Sequence, residues 1–241
     1  MIEFLTELDT QLLLTINALN TPALDQFMYL LSAKLVWLPL YIILLLISVH
    51  RYGWGGGMFI AFGIALAVLI ADQTCSSLIR PLVERMRPSN PNNPISTMVH
   101  IVNDYRGGRY GFPSCHAANT VAVATFLSLV YKGRKVIITS LILWAIMNCY
   151  SRMYLGVHYP GDILVGSLIG YATGYCIYNL TLSAIFWWIE KKEKPTGDIV
   201  LHIAGSWGFI PEIKLTNSVL LGTTVAITSS VLLLISLISY Y

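Results

Sequence analysis

The chain has 241 residues, 56% of them hydrophobic and 11% charged, with a formal net charge of +3 and a mean hydropathy of +0.67. Soluble domains ordinarily carry about 25% charged residues, so this composition excludes a soluble globular protein and indicates an integral membrane protein. The small net charge, with no basic stripe interleaved with aromatic residues, excludes nucleic acid as a partner.

Residues 3–19 place Phe4, Leu5, Leu8, Leu12, Leu13 and Ile16 at roughly helical spacing, with Glu3, Glu7 and Asp9 interspersed. This predicts an amphipathic helix, and its acidic face favours packing on the bundle over adhesion to anionic lipid. The segment starts acidic and lacks a compact apolar run, so no cleavable leader is expected and the first membrane helix should direct insertion. Crossing a bilayer takes about 20 apolar residues. Six stretches approach that length: 30–49, 58–79, 115–131, 136–151, 163–189 and 218–240.

The expected fold is all-α, an integral membrane helical bundle of about six transmembrane helices with an N-terminal amphipathic helix. Residues 1–190 should form the membrane domain, 191–217 a cytoplasmic linker and 218–241 a C-terminal transmembrane helix. Gly55-Gly56-Gly57 reads as the turn between the first two spans; no Gly-Lys-Ser/Thr follows, so it is not a phosphate loop. The basic turn Lys132-Gly133-Arg134-Lys135 makes the third and fourth spans a hairpin. Gly166, Gly170 and Gly174 give the fifth span a small-residue face for close helix contact. The four cysteines show neither disulfide nor metal spacing.

Three polar clusters end long apolar runs: Arg80-x6-Arg87-Pro88, Pro113-Ser114-Cys115-His116, and Ser151-Arg152-x5-His158-x3-Asp162. All fall on one side of the predicted membrane. The other side collects His50-Arg51, Lys132-Arg134-Lys135 and Lys191-Lys192-Lys194. Basic residues in short loops stay cytoplasmic, so the clusters are expected to face the periplasm or cell exterior from an inner (cytoplasmic) membrane.

Together the clusters supply what phosphoryl transfer needs: charge compensation, an in-line nucleophile and a proton for the leaving oxygen. Arg80, Arg87 and Arg152 carry permanent charge in forked donors that match phosphate. Ser114 sits where the N-cap of an apolar helix belongs, beside free backbone N–H groups that form an anion site. His116, two residues on, can reach the same oxygens or the leaving group. Pro160 marks a helix start, which places Asp162 in the first turn, able to fix one ring nitrogen of His158 and leave the other free to attack. A lone arginine at a membrane end is ordinarily an anchor; the whole set in one place is not explained that way.

These residues resemble the type 2 phosphatidic acid phosphatase (PAP2) or lipid phosphate phosphatase family, whose pattern is Lys-x6-Arg-Pro, Pro-Ser-Gly-His and Ser-Arg-x5-His-x3-Asp. The match runs from about residue 70 to 175. The resemblance implies a helical bundle without a metal or other cofactor, His158 as nucleophile forming a phosphohistidine, Asp162 as its partner and His116 as general acid. It also implies phosphate binding by Arg80, Arg87, Ser114, Arg152 and the Cys115 amide. Arg80 stands where the family has lysine, and Cys115 where it has glycine. A cysteine phosphatase does not fit, because Val121 occupies the position six beyond Cys115 where that chemistry needs arginine.

Asp72 lies within the second span and is expected to partner a polar group on another helix. The loop carrying Asp104, Tyr105, Arg106 and Arg109 is either a cover for the site or a solvated connector. Tyr154 is expected to pack, and His50, His100 and His202 to be solvated loop residues. The expected activity is hydrolysis of a terminal phosphate from a membrane lipid phosphate or diphosphate: undecaprenyl diphosphate, phosphatidylglycerophosphate, phosphatidate or a lipid A phosphate. A diphosphate carrier lipid is the default. A phosphotransferase, or a non-catalytic lipid-phosphate binder or transporter, are the alternatives; binding alone would not require the oriented His158–Asp162 pair. No obligate protein partner is expected.

Overall fold

The structure is a computed structural model that describes residues 1–192; the remainder of the expected linker and the expected sixth span lie outside the described residues. Among the described residues the regular structure is helical, apart from one isolated bridge between Met86 and Tyr110 in the long irregular connection between residues 84 and 114. Three helices are long and apolar enough to cross a membrane, Lys34–Val83, Lys135–Tyr154 and Pro160–Trp188, with Cys115–Val130 a shorter apolar helix beside them.

Helix α1 (Ile2–Asn17) packs through buried Leu13 and Asn17, whose amide bonds the carbonyls of His100 and Tyr154. Phe4, Leu5, Leu8 and Leu12 face outward, so the helix combines packing on the bundle with an apolar face suited to the membrane interface. Helix α2 (Pro22–Leu31) was not expected. Thr21 caps it by accepting from Leu24 N, and Pro22 starts it, the arrangement that proline's fixed φ favours.

The first span therefore begins at Leu38, after a 3₁₀ turn over Lys34–Trp37, rather than near residue 30. Helix α3 (Leu38–Gln73) contains one non-helical residue, Gly53, at φ 70 and ψ 173. The chain reverses there, because a Cβ built on Gly57 would lie 2.8 Å from the Cα of Val49, eight residues earlier. In a continuous helix eight residues would span about 12 Å. The hairpin turn is thus Gly53, where a left-handed φ favours glycine, while Gly55–Gly57 lie inside the second limb. That limb runs on through a π-helical turn (Thr74–Ile79) into α4 (Arg80–Val83). Pro81 has no N–H to give to the preceding turn, and the wide turn accommodates it.

Helices α5 (Cys115–Val130) and α6 (Lys135–Tyr154) form the expected hairpin, with Gly133 at φ 87 in the turn. Helix α7 (Pro160–Lys192) lies against α5 in backbone contact. Cβ atoms built on Gly166, Gly170 and Gly174 would strike the carbonyl oxygens of Ser114, Ala118 and Ala122 in turn. Small residues permit this approach where lipid provides no hydrophobic drive between helices. The seam fixes the start of α5 beside the start of α7: Ser114 N donates to Asp162 O at 3.0 Å. Asp72 accepts from Asn119 on α5 at 3.0 Å, the cross-helix pairing expected of it, and buried Tyr154 packs with its hydroxyl on Asp25. His100 is not simply solvated; its ring bonds Asp25 at 2.8 Å.

Candidate active site

All three clusters meet at one end of the bundle. Ser114 is buried and caps α5, its Oγ accepting from Ala117 N at 3.4 Å. Cys115 and His116 follow in the first turn. At the end of α6, Gly156 takes a left-handed φ of 65, and Val157 N donates back to Arg152 O at 3.1 Å. This closes the helix in a Schellman-type cap and turns the next residues back, so that Arg152 and His158 serve the same pocket.

His158 is buried and held at both nitrogens. Arg87 Nη1 donates to Nε2 at 2.8 Å, and Nδ1 faces Asp162 Oδ2 at 3.3 Å. A guanidinium can only donate, so Nε2 carries the lone pair and Nδ1 the proton that Asp162 accepts. The tautomer is set, with Nε2 the ring nitrogen that carries the lone pair. Burial, reinforced by the charges of Arg87, Arg152 and Arg80, holds the His158 pKa well below the usual histidine value. The imidazole therefore stays neutral at pH 7 and keeps its lone pair.

The three predicted arginines lie at the same end of the bundle as this ring, Arg87 in direct contact with it. Arg87 donates from Nη1 also to Val157 O at 3.1 Å; Arg152 donates to the Tyr105 hydroxyl at 3.1 Å; Arg80 donates to Pro113 O at 3.0 Å and to Cys115 Sγ at 2.9 Å. None is in an ion pair among the described residues. Each also keeps a buried Nε–H without an acceptor there. Burial and the charges of Arg152 and Arg80 lower the Arg87 pKa to about 10, which still leaves it cationic at pH 7. A concentration of positive charge with unused buried donors is costly by itself and complementary to a multi-oxygen anion. His116 lies in the first turn of α5, at the same end of the bundle. Its Nε2–H donates to Ser32 O at 3.3 Å, leaving Nδ1 for a proton transfer.

The sequence pattern of the PAP2 superfamily matches residues 57–186. A lipid A 4′-phosphatase from Bacteroides thetaiotaomicron is 47% identical over 178 residues, covering 74% of this chain and 79% of that protein. The chain belongs to the PAP2 superfamily. A lipid A 4′-phosphatase from Porphyromonas gingivalis is 35% identical over 189 residues, 78% of each protein. The crystal structure of Aquifex aeolicus LpxE superimposes with a TM-score of 0.55 at 27% identity, covering 71% of this chain and 95% of that one. The protein is thus a membrane-embedded lipid phosphatase of the PAP2 type.

The PAP2 site includes residues that the sequence did not single out. Arg85, between the two arginines of the first cluster, bonds Asp162 Oδ1 at 3.0 Å and pairs with Asp9 at 2.7 Å. Gly111 sits so close that an added Cβ would lie 3.1 Å from both Asp162 Oδ2 and Arg87 Cγ. Tyr105 answers the question of the long loop, since it holds Arg152 by its hydroxyl and lies under the same guanidinium with a ring centroid at 5.4 Å. The loop is part of the site wall. Arg106 ties it down by donating to Ser89 O at 2.8 Å, whereas Arg109 stacks on its neighbour Tyr110. Among the described residues, no group of three or more His, Cys, Asp or Glu side chains is placed to hold a metal ion.

Proposed function

We propose that this PAP2 phosphatase hydrolyses a phosphate of a lipid A-type saccharide lipid through a phosphohistidine on His158. The observation that carries the chemistry is the His158 ring, bonded on one side to Asp162 and on the other to Arg87. The phosphoryl group takes the place of Arg87 Nη1 at Nε2, and its oxygens become the acceptors for Arg80, Arg87, Arg152, Ser114 and the Cys115 amide. Nε2 attacks phosphorus, the N–P bond forms, and the P–O ester bond breaks while His116, which takes up a second proton at Nδ1 from solvent once the anionic substrate is bound, passes that proton to the leaving oxygen. Asp162 stabilises the charge that builds on the imidazole. Water, giving a proton to His116, then cleaves the N–P bond and releases inorganic phosphate.

Two relatives named lipid A 4′-phosphatases, at 47% and 35% identity, support a saccharide lipid phosphate over the diphosphate carrier lipid first expected. The basic turn Lys132–Lys135 and the hairpin end near Arg51 lie at the opposite end of the bundle from His158. This distribution supports an inner-membrane protein with its site toward the periplasm or exterior. The test is phosphate release from purified lipid A, phosphatidate, phosphatidylglycerophosphate and undecaprenyl diphosphate in detergent, with His158→Ala as control. Preference for lipid A and an inactive, folded His158→Ala enzyme are expected. Equal turnover of all four lipids overturns the substrate assignment, and an active His158→Ala enzyme overturns the nucleophile.

A further inference from the structure

The carboxylate behind the nucleophile is itself held from two distant parts of the chain. Asp162 is fully buried at the start of α7. Its Oδ2 accepts from Tyr159 N at 3.1 Å and faces His158, and its Oδ1 accepts from Arg85 Nη1 at 3.0 Å. Arg85 is held in turn. Its guanidinium lies over the Tyr159 ring, 3.8 Å from the centroid, and its Nη2 pairs with Asp9 Oδ2 at 2.7 Å. Asp9, on α1, also accepts from Gly161 N at 2.7 Å through Oδ1. A Cβ on Gly161 would lie 2.8 Å from Asp9 Oδ2, so any larger residue there would displace this carboxylate.

We infer that Arg85 and Asp9 are positioning residues of the phosphatase, acting through Asp162 to fix the orientation of His158, and that helix α1 is a working part of the active site. The inference rests on His158 being the nucleophile. A carboxylate buried without a charge partner would exchange its ring contact for any donor within reach. Arg85 occupies Oδ1 and so leaves Oδ2 to the imidazole N–H. Its planar fork spans two carboxylates at once, which a lysine ammonium cannot do with the same geometry. Asp9 prevents the partly exposed guanidinium from swinging into solvent, and anchors it to the backbone of the same turn that carries Asp162. The backbone of Arg85 contributes as well: its carbonyl accepts from Gly111 N at 2.9 Å, seating the glycine that packs against His158.

The test is single-turnover and steady-state phosphate release from purified lipid A in detergent micelles, for Arg85→Gln, Arg85→Lys and Asp9→Asn in the natural and Asp162→Asn backgrounds. Arg85→Gln is expected to lower kcat on the order of 10–100-fold, the loss of one hydrogen bond to a buried charge, with KM changed less than about threefold. Arg85→Lys should recover part of that loss, and Asp9→Asn should show a smaller loss in the same direction. In the Asp162→Asn background Arg85→Gln should cost less than about threefold, because the group it acts through is already neutral. An equal loss in both backgrounds, or full kcat in Arg85→Gln, overturns the inference. Should Arg85→Gln fail to insert, Asp9→Asn decides, since its side chain keeps an oxygen for Gly161 N–H; unchanged kcat there overturns the inference. Turnover surviving His158→Ala would instead remove the nucleophile assignment on which it rests.

Discussion

The two positions where this chain departs from the PAP2 pattern touch each other. Arg80 replaces lysine, Cys115 replaces glycine, and Arg80 Nη2 donates to Cys115 Sγ at 2.9 Å while also bonding Pro113 O at 3.0 Å. The wider guanidinium has a side chain to rest on that glycine would not supply, and Nε remains buried without an acceptor among the described residues. A hydrogen bond from a charged donor is worth about 1.5–3 kcal/mol. Sulfur is a weak acceptor, so the contact is set at about 1 kcal/mol, or about fivefold in kcat/KM. Cys115→Gly is expected to lower kcat/KM for lipid A phosphate release about fivefold. Arg80→Lys should lower it about 10–50-fold, by loss of the contact and of the forked phosphate grip. The double variant loses the contact only once, so it should be about fivefold more active than the product of the single effects. Independent sites add within about 0.3–0.5 kcal/mol, roughly twofold, so the difference is measurable. A double variant within twofold of the product refutes the coupling, and so does a gain of activity in Cys115→Gly, which would mean that the thiol competes with phosphate for the fork.

Asp162→Asn should lower kcat on the order of 10³–10⁴-fold through loss of the tautomer-fixing acceptor, measured by single-turnover phosphate release; a loss under tenfold contradicts its role. The depressed His158 pKa has a definite sign. Between that value and about 6.5 the unfolded chain binds the proton and the folded protein does not, so stability falls as pH drops through this window. In ¹⁵N-histidine spectra, with the His158 signal assigned by its loss in His158→Asn, the ring should be neutral at pH 6; half-protonation at pH 6.5 or above contradicts this. Gly170→Val would press a side chain onto the Ala118 backbone and should destabilise by about 1–3 kcal/mol or more, seen as earlier thermal unfolding in detergent. Gly108→Val, with nothing within 4 Å, should be near neutral. EDTA is expected to leave turnover unchanged; restoration of a lost activity by a divalent cation would contradict a metal-free mechanism.

The convergence of His158, Asp162 and the three arginines, the proposed nucleophile, its carboxylate and the proposed phosphate ligands, was legible because each cluster is short and sits where a helix begins or ends. His158, four residues before Asp162 and two before Pro160, is constrained by local geometry alone. Ser114 was legible as an N-cap for the same reason. Arg85 and Asp9 were not, since their partners lie 77 and 152 residues away along the chain and neither carries a local signature. Tyr105 could be noted only as a loop residue until the fold brought it under Arg152. The hairpin turn was misplaced because three consecutive glycines look more like a break than Gly53 alone. Conformation decided otherwise: Gly53 adopts the positive φ, and Gly57 is small because Val49 passes beside it. Helix α2 went unassigned because its ten residues are too few to cross a bilayer, and only its last two fall within the expected first span.

The glycine seam between α5 and α7 has a mechanical consequence. One rod carries Ser114, Cys115 and His116 at its tip and the other carries Asp162, and the two touch main chain to main chain over three successive turns. There is no compressible layer of side chains between them to absorb a sideways push. A lateral shift near Gly174 should therefore be passed along the two helices to the end that carries Ser114 and Asp162, as with the handles and jaws of a pair of tongs. Catalytic geometry in this enzyme should respond to membrane thickness and lateral pressure more directly than in a bundle cushioned by leucine.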